Sequence, residues 1–81
     1  MSDPTKKESA RMVLAVYAGE QHMPGDFFRI LLTAMAHADQ SNMAAFERGW
    51  PNLGRALRMY KNDDGGAAIL RQERDVPNGS T

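Results

Sequence analysis

The chain contains no cysteine, and for 81 residues this restricts what can hold a fold together. A domain this short buries a smaller share of its surface than a larger one, so its core alone leaves it marginally stable. Small domains are commonly stapled by a disulfide, a metal or a partner subunit. Without thiols the disulfide is impossible, and the usual thiolate zinc sites are excluded. Burial of apolar side chains must do most of the work, and self-association is the staple that stays open. The length admits one domain, residues 1–81.

Helix signals dominate the chain. The β-branched residues are few: Val13, Val16, Ile30, Ile69 and Val76, with three threonines. No segment alternates apolar and polar residues as a half-buried strand does. Asp3 and Pro4 have the residue types of an N-cap and a first helical position. Met12, Val13, Val16 and Tyr17 then fall on one helical face, and Gly19 suits the left-handed stop. The stretch around Lys6, Lys7 and Glu8 is expected to fray. Pro24-Gly25-Asp26 marks a turn, with Asp26 placed to cap the next helix. That helix, with Phe27, Phe28, Ile30, Leu31, Leu32, Ala34, Met35 and Ala38, is apolar around most of its circumference. This is the pattern of a central helix touched on several sides, with small Ala34, Ala36 and Ala38 permitting close approach.

Asp39 or Ser41 can cap a short helix that runs to about Arg48 and ends at Gly49. Pro51 opens a further helix in which Leu53, Ala56, Leu57 and Tyr60 form one stripe at i, i+3, i+4 and i+7. Gly54 lowers the helix propensity of that segment and is expected to mark a close helix contact. Asp63-Asp64-Gly65-Gly66 reads as a breaker and linker. Only Ile69 and Leu70 anchor a weak helical turn over 67–74, and Val76 to Thr81 reads as a flexible tail. The prediction is an all-α fold, a compact bundle of three to four short helices with flexible termini. Its ordered core covers about residues 4–62, and residues 63–81 form a flexible tail.

Pro24-Gly25-Asp26-Phe27-Phe28, then Leu31 or Leu32, Ala34, Ala38-Asp39 and Asn42, then Gly49-Trp50-Pro51, Leu53, Ala56 and Tyr60, resembles a pattern in small uncharacterised proteins of phages and prophages. The resemblance spans residues 24 to 61. It implies an accessory phage or bacterial protein and brings with it no activity, cofactor or catalytic residue. Trp50 stands where the pattern has phenylalanine before the proline. A helix start, two helix breaks and a core stripe produce the same residues without any shared function.

Little in the chain frames catalytic chemistry. His22 and His37 are the only histidines, and no H-x-x-x-H or Glu-x-x-His spacing accompanies them. Ser9, Ser41 and Ser80 lack a nucleophile-elbow motif, and Gly65-Gly66 lacks the phosphate-loop signature. No metal, cofactor or enzymatic activity is expected. Ten basic and ten acidic residues cancel, which argues against a global attraction to nucleic acid or anionic membrane. The start of the sequence is polar, unlike a signal peptide. The run from Phe27 to Ala38 contains Arg29 and His37 and falls short of the roughly 20 apolar residues of a membrane span. A soluble cytoplasmic protein is therefore expected, in keeping with the absence of cysteine.

Two features point to binding. From Met43 to Asn62, Arg48, Arg55, Arg58 and Lys61 face a single acid, Glu47. Arg55 and Arg58 are neighbours on a helix face, and helices joined by tight turns permit a helix-turn-helix arrangement. The competing reading is a solvated face whose positive charge suits a helix C-terminus. Trp50 is either a keystone between helices or a surface anchor, with the core favoured. Of six methionines, Met12 and Met35 are expected in the core. The function expected is a non-catalytic protein-binding module, with a protein partner or a second copy of the chain. The resemblance implies a modulator of a host or phage protein. The alternative is a small DNA- or RNA-binding domain. The candidate binding face is Arg48, Trp50, Arg55, Arg58 and Lys61.

Overall fold

The computed structural model describes residues 3–20 and 23–76. Readings that fall on Met1, His22 or residues 77–81 lie outside the described residues. Five α-helices run in order: α1 (Lys6–Ala18), α2 (Asp26–Ala36), α3 (Gln40–Gly49), α4 (Pro51–Asn62) and α5 (Gly66–Asp75). The all-helical class stands, with five helices in place of the expected three to four.

The local signals explain most boundaries. Thr5, not Asp3, caps α1: its Oγ1 accepts from the Glu8 N–H at 3.1 Å. Gly19 closes α1 in the left-handed conformation at φ 69°, and the Glu20 N–H returns to the Leu14 carbonyl. Asp26 is the first residue of α2 rather than its cap, and its carboxylate pairs with Arg29 one turn on. Asp39 caps α3 by accepting from the Asn42 N–H at 2.8 Å. Pro51 opens α4 as the sequence suggests.

Helices α1, α4 and α5 build the core. Ala10, Val13 and Leu14 of α1 are completely buried, as are Leu53 and Leu57 of α4 and Leu70 of α5. The most extensive helix pairing is α1 with α5, followed by α1 with α4. Helices α2 and α3 form an antiparallel hairpin on the flank. Of α2 only Leu32 and Met35 are buried, and α3 has no buried residue. The expectation that α2 is central is therefore corrected: the remaining helices are too few to surround it. Met12 and Met35 lie in the core, as expected.

The flexible tail is likewise corrected over Gly66–Asp75, where the chain is helical and packed on α1. The two glycines make this possible. Gly65 takes φ 74°, turning the chain sharply after α4. A β-carbon on Gly66 would stand 2.0 Å from the Met59 carbonyl oxygen, so only glycine lets α5 start against α4. Gly54 has a related role. A β-carbon there would meet Glu47 Cγ at 2.6 Å, which bears out the expected close contact.

Side chains from distant helices close several helix ends. The Asp3 carboxylate accepts from the Asn52 N–H at 3.0 Å and the Leu53 N–H at 3.5 Å. It thus caps α4, whose own N-cap residue, Trp50, provides no side-chain hydrogen bond. Lys7 donates to the Arg74 carbonyl at 2.6 Å and to that of Val76, at the end of α5. The segment expected to fray is thereby tied down. Lys61 donates to the Ala36 carbonyl at the end of α2. The Tyr60 hydroxyl donates to the Tyr17 carbonyl, and the Tyr17 hydroxyl to the Leu32 carbonyl at 2.7 Å. Burial raises the Tyr17 hydroxyl above its ordinary pKa, which keeps it a donor.

Two substitutions should move stability in opposite directions. Gly66→Ala forces a β-carbon onto backbone, so it should cost about 3 kcal/mol in chemical denaturation, the upper end of overpacking penalties. Ser9 is fully buried and its Oγ has no hydrogen-bond partner among the described residues. Ser9→Ala should therefore raise the unfolding free energy by about 1 kcal/mol, since it removes an uncompensated buried hydroxyl. A destabilised Ser9→Ala protein would contradict this packing.

Candidate functional site

The basic cluster does not form an open cationic surface. Arg55 on α4 makes two parallel hydrogen bonds to Glu73 on α5, at 2.9 and 2.7 Å. Arg58, one turn on, makes the same fork to Glu47 on α3, both bonds at 2.7 Å. Lys61 is engaged at the end of α2. Arg48 is exposed, and no ion pair holds it among the described residues. Of the four basic residues, the two arginines that faced each other in sequence are thus spent on inter-helix pairs. Planar guanidinium forks favour such bidentate geometry. Each acid is correspondingly easier to ionise. The hydrogen bonds from Arg58 hold the Glu47 carboxyl below the ordinary glutamate value, and those from Arg55 do so for Glu73. Glu20 is lowered in the same way by Arg71 first and Arg74 second.

Trp50 belongs to a different surface. It sits between α3 and α4, half-buried, with its ring 5.7 Å from Phe28 edge-to-face and 5.9 Å from Phe27. Of the two expected roles, core or surface anchor, Trp50 fills part of each: it packs against the core, while one side of this aromatic cluster faces outward. Phe27 remains 48% exposed, Ile30 59% and Met23 56%. Phe27, Ile30 and Ala34 follow one another at i, i+3 and i+7, which places them on one outward face of α2.

Beside that face a shallow groove of about 580 Å³ separates α2 from α3. Ala34, Ala38, Ala45 and Gly49 line it, together with the aromatic Phe46 and Trp50 and the polar His37 and Asn42. Small residues keep the floor low, and the aromatic side chains make it apolar. The sequence reading grouped Trp50 with the basic residues Arg48, Arg55, Arg58 and Lys61, and missed Phe27, Ile30, Ala34 and Ala45 beside it. The signal was present in the all-round apolarity of α2, which was assigned to central burial.

The remaining polar groups do not converge. Among the described residues no three His, Asp or Glu side chains cluster as metal ligands. His37 is exposed at the C-terminal end of α2, while Ser9 is buried in α1 and Ser41 is exposed on α3. A second cavity, between Met35, Asp39, Met43 and Arg58, holds about 240 Å³, below the roughly 300 Å³ at which ligand pockets begin. No helix among the described residues is long and apolar enough to cross a membrane.

The glutamate pairs set an acid response. Glu20, Glu47 and Glu73 have pKa values below the ordinary 4.5 in the folded protein. Their contribution is complete above the unfolded value and is lost as pH falls through the lower folded values. Thermal midpoints should therefore be level above about pH 5 and fall progressively below about pH 4. Glu20→Gln should flatten that fall, and an unchanged acid limb would refute the assignment. Comparison of the chain with protein-family models, with curated proteins and with solved structures finds no match to any of them.

Proposed function

We propose that the chain is a non-catalytic protein-binding module whose contact surface is the outer face of α2 with the adjoining α2–α3 groove. The observation that carries this reading is the exposure of Phe27 and Ile30 beside a groove floored by alanine and glycine. Covering one such side chain is worth about 1.5–3 kcal/mol, so a small domain gains much by presenting it to a partner. Contiguous apolar patches rimmed by polar residues commonly mark protein contacts. The shape suits a helix laid in a groove, with anchors at i, i+3 and i+7. Residues 24–61, which carry the resemblance to phage and prophage proteins, include all of this surface. That supports the reading of an accessory protein acting on a host or phage protein. The nucleic-acid alternative rests on Arg48 with what remains exposed of Arg55, Arg58 and Lys61, a smaller charge footprint than such binders present.

A tagged pull-down with and without nuclease tests the proposal. A discrete protein should survive nuclease and high salt, and Ala34→Asp should lose it while keeping its helical circular dichroism. Ala34 is exposed, so the change leaves the core intact. Capture that vanishes with nuclease, falls steeply with salt and weakens in Arg48→Ala would sink the reading in favour of nucleic acid.

A further inference from the structure

We infer that the occupant of the α2 face is a second copy of the same chain, packed antiparallel about a two-fold axis near Ile30 and Leu31. The inference rests on the reading of this face as a protein-binding surface.

The face is graded in size. Its N-terminal half presents bulky, exposed Phe27 and Ile30, and its C-terminal half presents Ala34 and the groove lined by Ala38 and Ala45. Phe27 and Ala34 are equally far in sequence from the Ile30–Leu31 bond. Reversing one α2 against another therefore sets each Phe27 over the other copy's Ala34 and groove. A parallel pair would instead oppose bulky to bulky and small to small, leaving gaps where alanine meets alanine. Knob and hollow on one patch are what a two-fold, isologous contact requires.

Charge and size agree with this arrangement. The chain's net charge is zero, so two copies meet without overall repulsion. Arg48 lies at the Trp50 end of the α2–α3 hairpin and Asp39 at the turn end, both exposed. The two-fold reversal brings each arginine to the end that holds the other copy's aspartate. A standard interface takes roughly 800 Å² per partner, about a sixth of the 4882 Å² that the chain exposes. Antiparallel α2 helices also oppose their dipoles.

The absence of cysteine provides a direct test on the full chain. Sedimentation at about 100 μM should give the dimer mass, as expected for micromolar affinity, and Ala34→Asp should return it to monomer with unchanged circular dichroism. Ile30→Cys alone should oxidise to a covalent dimer. Phe27→Cys mixed with Ala34→Cys should cross-link to each other, and each alone much less, because a disulfide needs closely apposed α-carbons. A monomer at every concentration overturns the inference, as do cross-links of Phe27→Cys and Ala34→Cys each with itself in preference to each other. If the chain is monomeric yet captures a foreign protein that Ala34→Asp loses, only the second copy is refuted. If it is monomeric and captures nothing, the protein-binding reading falls as well.

Discussion

A helix leaves four N–H groups and four carbonyls without partners at its ends, and here five helices of 10 to 13 residues share one small core. End groups are thus a large fraction of the backbone. Local caps satisfy only some of them, through Thr5, Gly19 and Asp39. The rest of the solution is tertiary. Asp3 closes the start of α4, Lys7 the end of α5 and Lys61 the end of α2. Each contact combines a hydrogen bond with a charge of the sign that the helix dipole favours. Such contacts also specify which end meets which helix, a choice that apolar burial by itself leaves loose.

The same economy explains the apolar flank. A helix that is hydrophobic all round needs neighbours on every side. Once α1, α4 and α5 have packed together, the flank offers α2 one inner surface, filled by Leu32 and Met35, and the short α3 beside it. Phe27 and Ile30 are left over because no further helix among the described residues covers them. Their exposure follows from the size of the domain as much as from the sequence of α2, and it explains why binding is the reading that the flank supports best.

Helix positions were largely legible in the sequence because punctuation is local. Gly19, Asp39 and Pro51 act on their own neighbours, and the Leu53, Ala56 and Leu57 stripe reports burial through spacing alone. Three features were hidden, each because its cause is non-local. Asp3 has the residue type of a cap, but the helix it caps begins some fifty residues later. Gly65-Gly66 has the composition of a linker, and only the nearness of the Met59 carbonyl shows it to be a tight joint. Arg55 and Arg58 form a basic face until Glu73 and Glu47 arrive from other helices. Of the surface proposed for binding, only Trp50 was legible in the sequence, since the exposure of Phe27 and Ile30 depends on how many helices pack against α2.

The pairing of α1 with α5 has a consequence for biosynthesis. Among the described residues the most extensive contact joins the first helix to the last, and the segment that separates them, residues 19–65, holds α2, α3 and α4. Closing so long a loop is entropically costly before its contacts form, and folding that relies on distant pairs is slower than folding through local ones. During translation α1 emerges first but must wait for α5 to be made, with Ala10, Val13 and Leu14 lacking their main cover. The fold is thus completed after synthesis of the last helix rather than along the way. Over that interval the apolar face of α1 is open to contact with other chains.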